Sequence, residues 1–465
     1  MRLQGFFTKK VIIRSIIIGM VIIGVYGGFI FFKDNKKMVA ISALNIADKI
    51  SSLLLIPPDE QKELSVVNQL VQEFSKQDGA TRTFLLMLQN SMELRPGGGF
   101  LGQYAIVKIK NGEVVSTFVE DANLLDQRIP DGVEPPAVLA KKLSLKNWKF
   151  RDSNFSPDFP TNVAKAEYFL RLAGSPSKFD GVIAVDSQAF NDVFQLTGPL
   201  SAPGNATVFD STNATLKLEE LVEKPYLLDQ SLDTQNRKAI MKNLALVIVK
   251  KLSNIGDVPK IADFFHKELQ NKNIMLNLSD ENLQKLVDDV HWSGKVANSW
   301  GGDYLMMVDS NMGALKTDYY MKREISYDLD LTGEKPIVTL NFLYKNTAQV
   351  GDWRTSDYHS YLRVYVPEGA KLLENKMVSP LGSNGTEFGK TYFGFILHTV
   401  MRTQTAAMIK YELPNNFTQD DYRLLVQKQS GVGDVPIKIH IKTKEGKEFN
   451  QEGVLQGDLN FQINQ

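Results

Sequence analysis

Cysteine is absent from the 465 residues, which removes disulfide staples, thiolate metal sites and cysteine nucleophiles together. Histidine is scarce. The five present, His266, His291, His359, His398 and His440, are scattered without ligand spacing and give no zinc site. An excess of either charge is also missing, with 53 Lys and Arg against 53 Asp and Glu. That balance argues against a nucleic-acid partner, which usually meets a basic surface. No repeat of 20–50 residues and no low-complexity tract occurs, so a solenoid is excluded. G-x-S-x-G, H-E-x-x-H and G-x-x-x-x-G-K-[ST] are all absent. No nucleotide, haem or zinc is therefore expected.

What is present is an ordinary globular composition, 43% hydrophobic and 23% charged, enough for several packed units. One apolar run is long. Ser15–Phe32 has no charged residue and as a helix spans about 27 Å, close to the hydrocarbon thickness of a bilayer. Arg2, Lys9, Lys10 and Arg14 precede it with no acid among them, so the positive-inside rule leaves residues 1–14 in the cytoplasm and the bulk outside. A cleaved signal peptide is the rival. Its apolar region is shorter, and Lys33–Lys37 separates this run from the small residues at Ala40-Ile41-Ser42. An uncleaved single-pass anchor in the cell membrane is the expectation. Residues 1–37 hold seven basic residues and one acid, which leaves 46 basic and 52 acidic residues beyond them, a net of −6.

Residues 38–79 read as helical. Met38–Ile56 is apolar at helical spacing and stops at Pro57-Pro58. Asp59–Lys76 places Leu64, Val67, Leu70, Val71 and Phe74 on one face. These form either a stalk or the first helices of the globular part. Residues 80–302 mix strands with helices. Arg82–Gln89 is a buried-type strand, and Gln103–Lys110 and Glu113–Glu120 flank Asn111-Gly112, a strong hairpin signal. Asp180–Asp186 is a further strand. Helices are expected over Val133–Leu145, Thr161–Ala173, Ser187–Leu196, Leu216–Leu228, Asp233–Ser253, Lys260–Leu269 and Asp280–Val290. This predicts an α/β or α+β domain. From 303 to 465 helical periodicity gives way to short β-rich runs between turn clusters, which predicts an antiparallel β-sandwich.

Two motif matches fail on context. Gly97–Gly102 fits G-x-G-x-x-G, but a strand follows where a dinucleotide site needs a helix. Ser175–Lys178 fits S-x-x-K without its companion S-D-N and K-T-G elements.

Three loops concentrate polar groups. Gln89–Phe100 holds Arg95, a planar cation suited to phosphate, and Gly97, Gly98 and Gly99, whose N–H groups can approach an anion with no Cβ in the way. Glu120–Arg128 holds Asp121 and Asp126. Trp148–Pro160 holds Arg151, Asp152 and Asp158. Arginines with carboxylates suit a diphosphate bound with a divalent cation such as Mg²⁺. The alternative is that Asp152 and Asp158 cap turns while Arg95 and Arg151 pair with those two acids in a buried network.

The stretches LLMLQNSMELRPGGGFLGQYAIVKIKNGEV, WKFRDSNFSPDFPTNVAKAEYFLRLAG, FDGVIAVDSQAFNDVFQLTGPL and LMMVDSNMGALKTDYYMKREISY resemble the bacterial family called domain of unknown function 4012, over about residues 80–330. That resemblance implies an extracytoplasmic, membrane-anchored protein with no assigned activity. More remotely, the acid-x-Arg loop after a strand and the later D-x-V-I-x-V-D…F…G-P-L are similar to the LytR–CpsA–Psr phosphotransferases, which move glycans from a polyprenyl-diphosphate carrier to cell-wall sugar. This second resemblance implies an LCP-like fold. It places Arg95 and Arg151 on the diphosphate, and Asp152 or Asp121 on Mg²⁺ in the catalytic centre. Gly97, Gly98, Gly99, Asp126 and Asp158 stand by as substrate-binding residues. The chain lacks that family's Arg-rich second loop, and the triple glycine replaces its Arg/Ser-Asp-Thr run.

Two functions follow as expectations. One is binding, and transfer to a cell-wall acceptor, of a polyprenyl-diphosphate-linked glycan. The other is a non-catalytic envelope protein that binds polysaccharide or a partner protein through the β-rich region. Trp353–Tyr365 supplies aromatics for the second, although Tyr361, Arg363 and Tyr365 alternating with Leu362, Val364 and Val366 also read as an ordinary strand.

Overall fold

The structure is a computed structural model that describes residues 57–74, 76–225, 229, 239–252, 258–380, 384–414 and 422–463. The expected anchor Ser15–Phe32 and the helix Met38–Ile56 lie outside the described residues. Among the described residues no helix is long and apolar enough to cross a membrane. A mixed α/β region is followed by β-rich sheets. The chain forms two compact units, and both are discontinuous in sequence.

The first unit comprises the described residues up to Leu88, Gln103–Leu124 and Pro176–Ser293. It opens with α1 (Pro58–Phe74). Leu64, Val67, Leu70, Val71 and Phe74 recur at three- and four-residue steps and are all buried, as the periodicity predicts. They join Phe84, Val107, Ile109, Phe265 and Trp292 in one hydrophobic core, and Phe74 meets Phe84 edge to face at 5.2 Å. This helix is thus part of the globular unit and not of a stalk.

A five-stranded sheet runs β3-β2-β1-β4-β7, where β1 is Thr81–Asn90, β2 Phe100–Lys110, β3 Glu113–Asp121, β4 Gly181–Asp186 and β7 Ile274–Leu278. Between β4 and β7 lie the two-residue strands β5 (Leu200–Ser201) and β6 (Val208–Phe209). Asn111 (φ 53°) and Gly112 (φ 71°) both turn left-handed between β2 and β3. That is the turn an Asn-Gly pair favours, because its twist matches the strands it joins.

Two short helices, α2 (Ala122–Arg128) and α3 (Ala137–Lys142), and the longer α4 (Phe159–Leu172) precede β4. The helices after β4 are α5 (Ser187–Thr197), α6 (Ala214–Val222), α7 (Ala239–Leu252), α8 (Val258–Gln270) and α9 (Glu281–Asp289). The helix expected over Val133–Leu145 is confined to α3, with Pro136 at its N-cap and Leu143 at its C-cap.

The second unit comprises Gln89–Gly102, Leu125–Ser175 and Gly294–Gln465. The expected division at 302/303 therefore differs from the compact units, since two loop-rich segments from the α/β part of the sequence belong with the β-rich region. Its strands are β8 (Asp303–Val308), β9 (Met321–Asp330), β10 (Ile337–Asn346), β11 (Tyr358–Pro367), β12 (Lys371–Lys376), β13 (Ser379–Pro380), β14 (Gly385–Glu387), β15 (Lys390–Thr399), β16 (Gln404–Glu412), β17 (Arg423–Val426), β18 (Val435–Lys442), β19 (Glu448–Leu455) and β20 (Leu459–Gln462). One sheet has the order β12-β16-β10-β9-β18-β19 and the other β13-β15-β11-β8-β17-β20. Pairing is mostly antiparallel, but β8 with β17 and β9 with β18 run parallel.

Alternate residues of both sheets, among them Tyr327, Leu340, Leu362, Val364, Phe395, Ile409 and Ile439, meet in a single core. Strand β11 departs from an inside–outside alternation. Leu362, Val364 and Val366 face that core, yet Tyr361, Arg363 and Tyr365 are buried too. Tyr361 packs with Leu139, Phe155 and Met312 in a second, smaller cluster.

Candidate functional site

The Gln89–Phe100 loop is interior. Residues 92–99 are all buried, and the Arg95 side chain is only 2% exposed. Its Nε donates to Asp152 Oδ1 at 3.0 Å and its Nη2 to Glu93 Oε1 at 3.0 Å. Nη1 donates to the carbonyls of Leu94 (3.3 Å) and Asn311 (3.4 Å). Burial works against the guanidinium charge, but Glu93 and Asp152 outweigh it and hold the Arg95 pKa above its ordinary value.

The network continues away from Arg95. The Leu94 N–H donates to Asp318 Oδ2 at 3.1 Å, and Asp318 also accepts from Asn311, Arg323 and Tyr358. Arg323 then reaches Asp309 at 2.9 Å. Gln429 Nε2 donates to the carbonyls of Arg95 (3.1 Å) and Asp309 (2.8 Å). Arg95 is thus paired inside the protein, with Asp152, as the buried-network alternative has it.

The glycines serve packing. The Gly97 N–H donates to Asn154 O and the Gly98 N–H to Arg95 O, both at 3.0 Å. Gly98 sits at φ +125°, and a Cβ there would collide with the Gln89 amide and, at 2.8 Å, with Ser430 Oγ. A Cβ on Gly99 would meet the Asn90 carbonyl at 2.5 Å.

The other predicted residues divide. Asp126 is buried, its Oδ1 accepting from the Phe150 N–H at 2.9 Å and its Oδ2 pairing with Arg151 Nε at 2.7 Å. Burial pushes the Asp126 carboxyl up to about 6, against the pull of Arg151. Arg151 remains 39% exposed. Asp121 belongs to the first unit and Asp152 to the second. Asp121 Oδ1 accepts from the backbone and side chain of Asn123.

Asp152 Oδ1 holds Arg95, Asp121 holds Asn123, and among the described residues no group of three His, Asp or Glu side chains could hold a metal ion.

Asp158 is the N-cap of α4. Its Oδ2 accepts from the Thr161 N–H (3.1 Å) and hydroxyl (2.7 Å), and its Oδ1 from the Val296 N–H (3.0 Å). Asp158→Ala should therefore lower stability by about 1–3 kcal/mol, through a lost cap and an orphaned buried N–H. Urea unfolding checks this, and a wild-type midpoint would contradict it.

An open cleft lies on the same Trp148–Pro160 loop. It has a volume of about 650 Å³, and Trp148, Phe155, Tyr361, Phe388 and Tyr392 line it together with lysines 141, 142 and 165. Trp148 is fixed by its Nε1 donating to Asp152 O at 2.8 Å and by edge-to-face contact with Phe169 at 5.8 Å. The aromatics of Trp353–Tyr365 pointed to this surface only through Tyr361. Phe388, Tyr392 and the α3 lysines carry no local motif, and only the fold brings them together.

No curated protein matches the chain. Among solved structures, the Lin1025 protein of Listeria innocua is similar at 13% identity, with a TM-score of 0.25, over 45% of this chain and 79% of that one. The Lmo1026 protein of Listeria monocytogenes is similar at 14% identity, with a TM-score of 0.24, over 44% and 75%. Three of the four stretches that resemble the family of unknown function 4012 fall in the region its family model recognises: residues 79–222 match the family described as protein of unknown function (DUF4012).

Proposed function

We propose that the chain is a non-catalytic envelope protein, anchored by Ser15–Phe32 with its bulk outside the cell, that binds polysaccharide in the cleft of its second unit. On this reading the α/β part is an LCP-like scaffold and the two-sheet body a β-sandwich. The observation that carries it is the contrast between two places on one loop. Asp152 is spent on Arg95, which also holds Glu93, while the aromatic-lined cleft stands open. The half-buried Trp148, Phe388 and Tyr392 rings with polar neighbours suit sugar rings, which offer apolar faces and hydroxyl edges.

Tyr392→Ala should weaken retention of the full-length, detergent-extracted protein on immobilised cell-wall polysaccharide by about tenfold, the equivalent of one anchor contact. Equal retention of both proteins would remove the cleft from the account. The second reading, transfer of a glycan from a polyprenyl diphosphate, draws support from the exposure of Arg151. It requires Arg151→Gln to change the amount of an envelope polymer.

The topology has its own test. Protease added to intact spheroplasts should leave only a small N-terminal stub, and full protection would end the anchored, outward-facing arrangement.

A further inference from the structure

The charges around the cleft are one-sided. Lys141, Lys142, Lys165 and Arg363 line it against a single acid, Glu387. That acid is already engaged, since Glu387 Oε2 accepts from the Tyr365 hydroxyl at 3.0 Å and lies 3.6 Å from Arg363 Nη1. Arg363 is fixed in place. It is 5% exposed, its Nη2 donates to Phe155 O at 3.2 Å, and the rings of Phe155, Tyr361 and Tyr365 lie 5.5–5.6 Å from its Cζ. The three lysines are different. Lys141 and Lys142 are exposed, and the Lys165 ammonium rests over the Trp148 ring at 4.3 Å with no carboxylate partner among the described residues.

We infer that the cleft takes an acidic saccharide, a sugar chain bearing carboxylate or phosphate groups, with the rings against Phe388 and Tyr392 and the anions against lysines 141, 142 and 165. This rests on the polysaccharide-binding reading above and adds the sign of the ligand's charge. Charge complementarity selects the anion, and the aromatic wall selects a ring-bearing chain over an extended acidic peptide. An arriving anion draws the Lys165 ammonium off Trp148, so the indole itself reports binding.

The test titrates the full-length protein in detergent micelles with tetragalacturonate, phosphorylated maltotetraose, unmodified maltotetraose and a poly-glutamate peptide, following tryptophan fluorescence and heat. At least one of the two acidic sugars should bind. Binding should weaken about tenfold in the double variant Lys141→Glu/Lys142→Glu, and further as salt rises. The fluorescence change should be lost in Trp148→Phe and retained in Trp353→Phe, whose ring does not line the cleft. Whether the carboxylate or the phosphate sugar binds more tightly identifies the anion. Unmodified maltotetraose binding as tightly as the acidic sugars, and indifferent to the charge reversals, would overturn the acidic class while leaving the cleft as a sugar site. Poly-glutamate binding more tightly than either sugar would overturn the saccharide. Binding of none of the four would remove both this inference and the polysaccharide reading.

Discussion

Arg95→Ala should destabilise the second unit by about 3–5 kcal/mol, because it leaves the buried Glu93 and Asp152 carboxylates without their countercharge. The loss exceeds the net worth of the ion pairs. Desolvation of three charges has already been met in the folded state, and removing one partner exposes that cost undiminished. Arg95→Lys should rescue little, since one ammonium cannot replace four bonds to Asp152, Glu93, Leu94 O and Asn311 O. By contrast, the triple variant Arg95→Met, Glu93→Gln, Asp152→Asn should recover most of the stability, as uncharged replacements of buried ion pairs often do. Denaturant unfolding followed by circular dichroism checks all three. The result also separates structure from chemistry. A diphosphate-clamping arginine would leave a stable fold when truncated, so a wild-type unfolding midpoint for Arg95→Ala would reopen the transferase reading.

That outcome bears on what the sequence discloses. The hairpin at Asn111-Gly112, the amphipathic face of α1 and the β-rich runs Tyr319–Leu331, Ile337–Lys345, Ser360–Val366, Thr391–Thr399, Thr405–Leu413 and Ile437–Thr443, which fold as β9, β10, β11, β15, β16 and β18, are legible because each rests on a local pattern, a turn pair or a period of two or 3.6. Strands β12 and β19 escape the same reading for a physical reason. They are the two edges of the six-stranded sheet, and their residues, KLLENK and EFNQEGVL, are largely exposed and polar, as edges that avoid further pairing tend to be.

The polar loops were legible as unusual but not in their use. Arg95 finds Asn311 at a separation of 216 residues, and Gln429 reaches back 334 residues to the Arg95 carbonyl. Nothing periodic encodes such partners. The composition of a buried ion network and that of a phosphate site are the same, and only burial separates them. The cleft was half legible, through Trp148 and Tyr361. Its basic rim comes from α3 and from Lys165 on α4, where the sequence offered helices over Val133–Leu145 and Thr161–Ala173 with no pattern that marks a site.

In the first unit, acidification should stabilise the protein, and Glu268 should be the main cause. Glu268 on α8 is fully buried, and burial pushes its carboxyl up to about 8, with the neighbouring Asp192 adding to the rise. Its Oε2 accepts from Asn273 Nδ2 at 2.7 Å, while its Oε1 makes no hydrogen bond and lies 3.8 Å from the Lys267 ammonium, whose pull toward the ionised form is smaller than the push of burial and Asp192. The folded-state pKa lies above the unfolded value near 4.5. The stability this group contributes is therefore complete below about pH 4.5 and is lost as pH rises toward 8, at about 1.4 kcal/mol per pH unit. Urea unfolding of this unit should show a midpoint that falls steadily from pH 5 to pH 8. Glu268→Gln supplies a permanent amide donor where the proton sat and keeps an oxygen for Asn273. It should flatten that slope and raise stability at pH 8 by a few kcal/mol. Asp192 gives the control: it also accepts from Gln188, Gln195 and Lys267, so Asp192→Asn should disturb those bonds instead of mimicking the glutamine variant. A pH-independent midpoint in the wild-type protein, or a Glu268→Gln variant with the wild-type slope, would show that Glu268 is ionised in the folded state.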